Sequence, residues 1–394
     1  MHLYLHVPFC QRRCSYCDFS IAVRKTVPAR EYVEAIQAEV RGTEIQVRGS
    51  GRREAGSVTG PTLPASLFPP PVPTIYFGGG TPSLLPPDAI STLLHDTILD
   101  ALPVDGLSLD AFEVTLEANP EDVSPVSAEA WRRAGVNRIS LGSQSFDDRV
   151  LRWMHRVHDA ARIGESVRTL RAAGFDNLSL DLIFALPEDL GRDWGRDLDQ
   201  ALALEPEHLS LYGLTVEERT PLARWVSRGA ALAPDDDRYA DEYLLAHERL
   251  AAGGYEFYEV SNAARAGRIS RHNSAYWTGR PYLGLGPAAH SFDGRRRSWN
   301  RRAWEEYRRA VSAGESPVES EEVLTEEQGR IESVYLGLRT RAGVPGAVVP
   351  SDRLKAWVTA GWAVASEGRI RLTAPGWLLL DTLVRDLTGA PSIL

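Results

Sequence analysis

Three cysteines stand close together in HVPFCQRRCSYCDFS, at Cys10, Cys14 and Cys17, and the chain of 394 residues has no others. The spacing Cys-x3-Cys-x2-Cys can wrap three thiolates around one face of a metal centre. A structural zinc site wants four ligands, so His6 or Asp18 would have to complete one. A [4Fe–4S] cluster normally takes four cysteines. With three, one iron keeps an open position at which a small molecule can coordinate. Inert buried thiols are the remaining reading. With no cysteine elsewhere to pair with, the trio argues against a disulfide framework and for a reducing compartment.

Further segments could hold a ligand. YFGGGTPSLL (76–85) offers Gly79, Gly80 and Thr81, where bare backbone can approach a bound molecule; a tight turn explains the glycines equally well. TLEANPE (115–121) carries Glu117, whose carboxylate can accept two hydrogen bonds from neighbouring hydroxyls. RISLGSQSFDDRVLRWMHRVHD (138–159) supplies Gln144, Arg156 and His158, and DLIFALP (181–187) supplies Asp181. Arg156 and Asp181 could also form a buried ion pair.

Glu117 and Gln144 sit at the ends of, and Asp181 within, short apolar runs that read as strands: LYLHV (3–7), TIYFG (74–78), FEVTLE (112–117), RISLG (138–142), LSLDLIF (178–184) and HLSLYGL (208–214). Amphipathic stretches between them, at 30–40, 89–102, 128–135, 159–174 and 193–204, read as helices. Repeated strand–helix alternation predicts an α/β fold with a helix-covered parallel sheet. Polar residues along one side of the third strand favour an open or closed barrel around an occupied centre, with ligand-facing groups at carboxyl strand ends. The Gly/Pro/Arg-rich segment 42–73 lacks periodicity and is expected to be a partly disordered surface insertion. Residues 268–292 read as irregular, and a helical stretch is expected from Trp299 to about Ala313. The last part, from Gly346, reads as helix, short hairpin, helix, a small winged-helix-like unit. The expected division is a barrel over 1–260 and a second, smaller α+β unit over 261–394.

Net charge is −9, which excludes a general nucleic-acid binder. Lys25 and Lys355 are the only lysines among the 44 basic residues, a bias read as compositional. The start MHLYLHVPFC does not read as a secretory signal, and no apolar run approaches the ~20 residues of a membrane span. A cytoplasmic location is expected.

CQRRCSYC after a strand, with the glycine turn and Glu117 behind it, resembles the signature of the radical S-adenosylmethionine (SAM) superfamily. That resemblance implies a partial (β/α)6 TIM-like barrel and a [4Fe–4S] cluster on Cys10, Cys14 and Cys17, with SAM on the open iron. It also implies that Gly79, Gly80 and Thr81 meet the methionyl part of SAM, and that Glu117 meets the ribose. Within the superfamily the chain is similar to the oxygen-independent coproporphyrinogen III oxidase branch. There Gln144, Arg156 and Asp181 match further SAM contacts, and Tyr4 and Tyr16 flank the cofactor. Ala185 departs from the branch, which usually has glycine at that position.

Two members of the branch differ after the third cysteine. The porphyrinogen oxidase carries a further cysteine where this chain has Phe19, and a longer amino-terminal arm where nine residues precede Cys10. Asp18-Phe19 resembles the HemW-type haem chaperones. RHNSAYW (271–277) resembles a motif linked to haem binding in that group, which points to His272, Asn273, Tyr276 and Trp277. The imidazole of His272 offers an axial iron ligand, and the aromatic rings can pack on a flat macrocycle; such clusters are also ordinary core. His290 is a second candidate. No Cys-x-x-Cys-His is present, which excludes covalent haem attachment by that route.

The resemblance therefore implies a chaperone that binds haem and passes it to acceptor proteins, some of them at the membrane, with an electron donor for the cluster. The alternatives are oxidative decarboxylation of coproporphyrinogen III and, in another class, a zinc-stabilised binding protein. Porphyrinogen oxidase activity is expected to be absent, and the sequence leaves open whether the chain is an enzyme.

Overall fold

The computed structural model describes residues 2–49, 73–100 and 108–390. Six parallel strands succeed one another in chain order: β1 (His2–Val7), β2 (Thr74–Gly79), β3 (Glu113–Ala118), β4 (Arg138–Gln144), β5 (Leu178–Phe184) and β6 (His208–Gly213). Each pairs with the next. Parallel neighbours need a crossover, and the helices Ala29–Gly49, Pro87–Thr92, Pro125–Ala134, Ala160–Ala172 and Trp194–Ala203 provide it. Leu283–Leu285 extends the sheet beside β1 in parallel. Asn262–Ala264 and then Glu256–Glu259 extend it antiparallel beyond β6, giving nine strands. The barrel sheet thus runs past residue 260.

Alternation along the strands sorts the side chains. Leu3, Leu5, Ile75, Phe77, Val114, Leu116 and Leu180 are fully buried in the hydrophobic core on the helix-covered side. Each contributes roughly 1.5–3 kcal/mol of burial. The opposite set is polar and meets inside the curved sheet, where His2 bonds Thr74, Tyr76 bonds Glu117, Ser140 bonds Asp181 and Ser179 bonds His208. All six expected strands are present.

Several elements differ from expectation. The first helix reaches Gly49, so the start of the expected 42–73 insertion is helical; residues 50–72 lie outside the described residues. The helix expected over 89–102 runs from 87 to 92 and then widens into π-type turns over Leu93–Leu99. There Thr97 Oγ1 donates to the carbonyl of Thr92, five residues back, at 3.2 Å, which suits the wider turn. Residues 271–277 of the supposed irregular stretch form a short helix with Ser270 as its cap. Arg296–Asn300 is a strand, and the helix begins only at Trp304. The arginines of this strand pair with Glu321 and Glu322 on the neighbouring strand Val318–Val323, so charges that look helical in sequence are satisfied across a sheet.

The carboxyl-terminal part has helix Ser351–Thr359, hairpin Ala363–Ser366 with Arg369–Leu372, then helices Ala374–Leu378 and Leu380–Thr388. This is the expected helix–hairpin–helix order. Glu39, buried on the first helix, joins the barrel to the segment 286–307. It accepts from Gly286 N at 2.8 Å, Asn300 Nδ2 at 2.6 Å and Tyr307 Oη at 2.6 Å.

Candidate functional site

The cysteine loop leaves β1 and is tied at its neck. Ala22 N donates to the carbonyl of Pro8 at 2.7 Å and Arg24 N to that of Cys10 at 2.9 Å. Midway, Ser15 N donates to Met154 O and Leu222 N to Ser15 O. The loop is therefore fastened at both ends and at its middle. Cys10, Cys14 and Cys17 line one pocket of about 320 Å³ at the carboxyl ends of the strands.

The glycine turn closes on this loop. Gly80 N donates to Val7 O at 2.7 Å, and a Cβ on Gly80 would lie 2.7 Å from Phe9 O and 3.0 Å from Cys10 Sγ. Gly79 has φ +113°, and a Cβ there would strike the His6 ring at 2.7 Å. Glycine is required at both positions. Thr81 Oγ1 donates to Cys10 Sγ at 3.4 Å, and Arg156 Nη1 donates to Cys14 Sγ at 3.7 Å. Burial pushes the Cys10 thiol up to about 12 and the Cys17 thiol up to about 11, so thiolates here call for a cationic metal centre. Among the described residues no three His, Cys, Asp or Glu side chains converge on one ion. His6 spends its nitrogens on Tyr4 Oη and Ser20 O. Asp18, the other candidate for a fourth zinc ligand, lines the same pocket as the cysteines.

Glu117 sits at the base of the pocket. Its Oε1 accepts from Tyr76 Oη at 2.8 Å and its Oε2 from Gly79 N at 3.0 Å. Burial pushes its carboxyl up to about 7 and that of Asp181 up to about 6. Arg156 and Asp181 have separate partners: Arg156 Nη2 donates to Asn119 Oδ1 and Gly142 O, while Asp181 accepts from Ser140. Arg156 Nε is buried with no partner. Three thiols on one wall, a glycine cradle and this orphaned donor fit an iron–sulfur cluster with a polar cofactor above it.

Of the residues singled out in the sequence, Cys10, Cys14, Cys17, Tyr16, Gly79, Gly80, Thr81, Glu117, Gln144, Arg156 and Asp181 line this pocket. Gln144 does so from the left-handed region, at φ +66°. His158 stands behind the wall and braces Glu121 at 3.0 Å. Tyr4 lies deeper in the barrel, stacked on Tyr76 and near His272. His272, Asn273, Tyr276 and Trp277 are elsewhere. Their helix is held beneath the strands by Glu113, the first residue of β3, which accepts from Arg271 N and His272 N at 3.1 and 3.0 Å. His272 is 1 % exposed. Its Nδ1 lies 2.7 Å from Thr74 Oγ1 and its Nε2 lies 2.8 Å from Tyr276 Oη. Burial pushes its pKa down to about 3. His290 is exposed and stacks on Trp299, away from the pocket.

Comparison with known proteins agrees with this geometry. A family model described as the radical SAM superfamily matches residues 65–201. The haem chaperone HemW of Mycobacterium tuberculosis is 38 % identical over 98 % of this chain and 94 % of its own length. HemW of Bacillus subtilis is 34 % identical over 86 % of this chain and 84 % of its own. The chain belongs to the HemW haem chaperone family. Among solved structures, coproporphyrinogen III oxidase (HemN) from Escherichia coli superposes with a TM-score of 0.75 over 98 % of this chain and 89 % of that one. Its sequence identity is 21 %, so the likeness is one of fold. As a radical SAM protein of the HemW family, the chain carries a [4Fe–4S] cluster and SAM.

Sequence reading missed several pocket residues. Asn119 and Glu121 lie in the quoted TLEANPE segment beside Glu117. Ser140 and Tyr212 also line the pocket. They fall on the inward alternation of β4 and β6, which the strand periodicity could have exposed.

Proposed function

We propose that this chain is a haem carrier that binds haem and passes it to acceptor proteins, with its radical SAM site serving loading or transfer. The observation that carries the reading is the HemW likeness over 98 % of the chain, together with three thiols lining a single pocket. When bound, the cluster supplies an iron site for the amino and carboxylate groups of SAM and a source of one electron.

This chain's own residues do the rest. Cys10, Cys14 and Cys17 hold the cluster. Gly79, Gly80 and Thr81 admit the methionyl part and Glu117 the ribose, while Gln144, Arg156, Asp181 and Tyr16 complete the pocket. Tyr4 supports that wall from below. The helix 271–277 holds the barrel floor, and His272 reaches a ligand only after its contacts to Thr74 and Tyr276 open. Acceptor proteins and an electron donor for the cluster are the partners. No helix among the described residues is long and apolar enough to cross a membrane, so transfer to a membrane-bound acceptor would be made from its surface.

Anaerobic reconstitution, then haem titration and mixing with apo-cytochrome, tests this. Stoichiometric haem uptake and handover, with coproporphyrinogen III left unchanged under reducing conditions, is the expected result. Decarboxylated product would overturn it in favour of the oxidase.

A further inference from the structure

The two nitrogens of His272 are spent inside the barrel, which leaves open where haem iron finds its ligand. Of the nine histidines, only His95, His155 and His290 are exposed. His95 bonds the carbonyl of Ala134, and His290 stacks on Trp299. His155 alone of the three lines the cluster pocket. Its ring has no hydrogen-bond partner among the described residues, and it packs edge-on against Trp225, at 5.4 Å between centroids.

We propose that His155 is the axial iron ligand for a haem lying across the mouth of the pocket, on Phe19, Tyr212 and Val157. This rests on the haem-carrier reading and assigns its binding site. Phe19 is 60 %, Tyr212 50 % and Val157 47 % exposed. Phe19 and Tyr212 are the only exposed Phe, Tyr or Trp side chains among the described residues, and both line this one pocket. Exposed aromatic surface gathered beside a free imidazole is what a flat apolar macrocycle with a central iron requires. Arg12, exposed on the same wall, supplies a cation for a propionate.

Position supports the same occupant. A pocket of about 320 Å³ is at the small end of cofactor sites, which run from roughly 300 to 1,000 Å³; with the cluster and SAM inside there is no room for a macrocycle, so it lies over the mouth. His155 sits at φ +61°, in the left-handed region where His is among the enriched non-glycine residues. The carbonyl of Met154, just before it, accepts from Ser15 N in the cysteine loop. The backbone leading into His155 is therefore fastened to the cysteine loop.

The test is a titration of the reconstituted protein with ferric haem, read by Soret position and by the low-spin electron paramagnetic resonance signal of imidazole-ligated iron. In His155→Gly the backbone keeps a residue at home at φ +61°, so the fold is retained; iron and sulfide content check that the cluster loads. The expected result is at least tenfold weaker binding and loss of the low-spin signal, both restored by added imidazole, with Phe19→Ser also weakening uptake. Wild-type affinity and spectrum in His155→Gly, with loss in His272→Ala, would overturn the assignment while leaving the haem-carrier reading standing. A wild-type protein that takes up no haem would overturn both.

Discussion

Nδ1 of His272 lies 2.7 Å from Oγ1 of Thr74, which in turn lies 3.0 Å from Nδ1 of His2. A residue of the short helix is thereby fastened to the starts of β1 and β2. Removing a fully buried ring with hydrogen bonds at both nitrogens leaves a cavity and unpaired hydroxyls. His272→Ala is expected to destabilise the haem-free protein by about 2–4 kcal/mol. Urea unfolding without haem measures this. Unchanged stability would mean that the imidazole is held for a ligand and not for the floor.

Glu39 predicts a pH dependence of a definite sign. Burial pushes its carboxyl up to about 7 from an ordinary 4.5, against the lowering effect of Tyr307, Gly286 and Asn300. The folded state therefore binds a proton that the unfolded state releases. The contribution is fully present below the unfolded value and is lost as pH rises through about 7. Between pH 4.5 and 7.5 the wild type should lose on the order of 3 kcal/mol relative to Glu39→Gln. Denaturant midpoints of both proteins across that range check the slope. Parallel curves would reject it.

The barrel and the cluster loop were legible because strand periodicity and cysteine spacing are local signals. Pocket residues at strand ends came from the same pattern, as Glu117 and Gln144 show. The fate of RHNSAYW was not legible. Its aromatic pattern says that rings will cluster, but the Glu113 side chain that seats its helix lies 159 residues away from His272 in the chain, and no local rule places the two together. The interest of His155, beside Arg156, depends on exposure and backbone angle, and neither is written in composition. The charges of 296–300 misled for a related reason: their partners are on a distant strand.

Ala185 offers a gain in stability. Where the branch usually has glycine this chain has alanine, and the residue sits at φ +56°, held there by its amide donating to Glu242 Oε2 at 2.7 Å. An alanine in the left-handed region is strained, and glycine is not. Part of the gain is offset by the freer unfolded chain. Ala185→Gly should stabilise by about 0.5–1 kcal/mol, seen as a higher thermal midpoint. A fall in the midpoint would show that the strain is relieved elsewhere.

Glu117 ties the deepest layer of the pocket to the glycine turn. One oxygen takes the Tyr76 hydroxyl and the other the Gly79 amide, and each keeps a further lone pair for a ligand hydroxyl. A hydrogen bond to a carboxylate is worth about 1.5–3 kcal/mol, so Glu117→Ala should weaken SAM binding by roughly 10–100-fold. Its carboxyl is pushed up to about 7, so the ionised acceptor predominates only above that pH. Wild-type SAM affinity should fall as the pH is lowered from about 8 to about 6, and the Glu117→Gln variant should lack that dependence. Anaerobic equilibrium dialysis of SAM at the two pH values, on protein with matched cluster content, decides it. Equal slopes in the two proteins would remove Glu117 from the ribose contact and leave it a brace for the glycine turn.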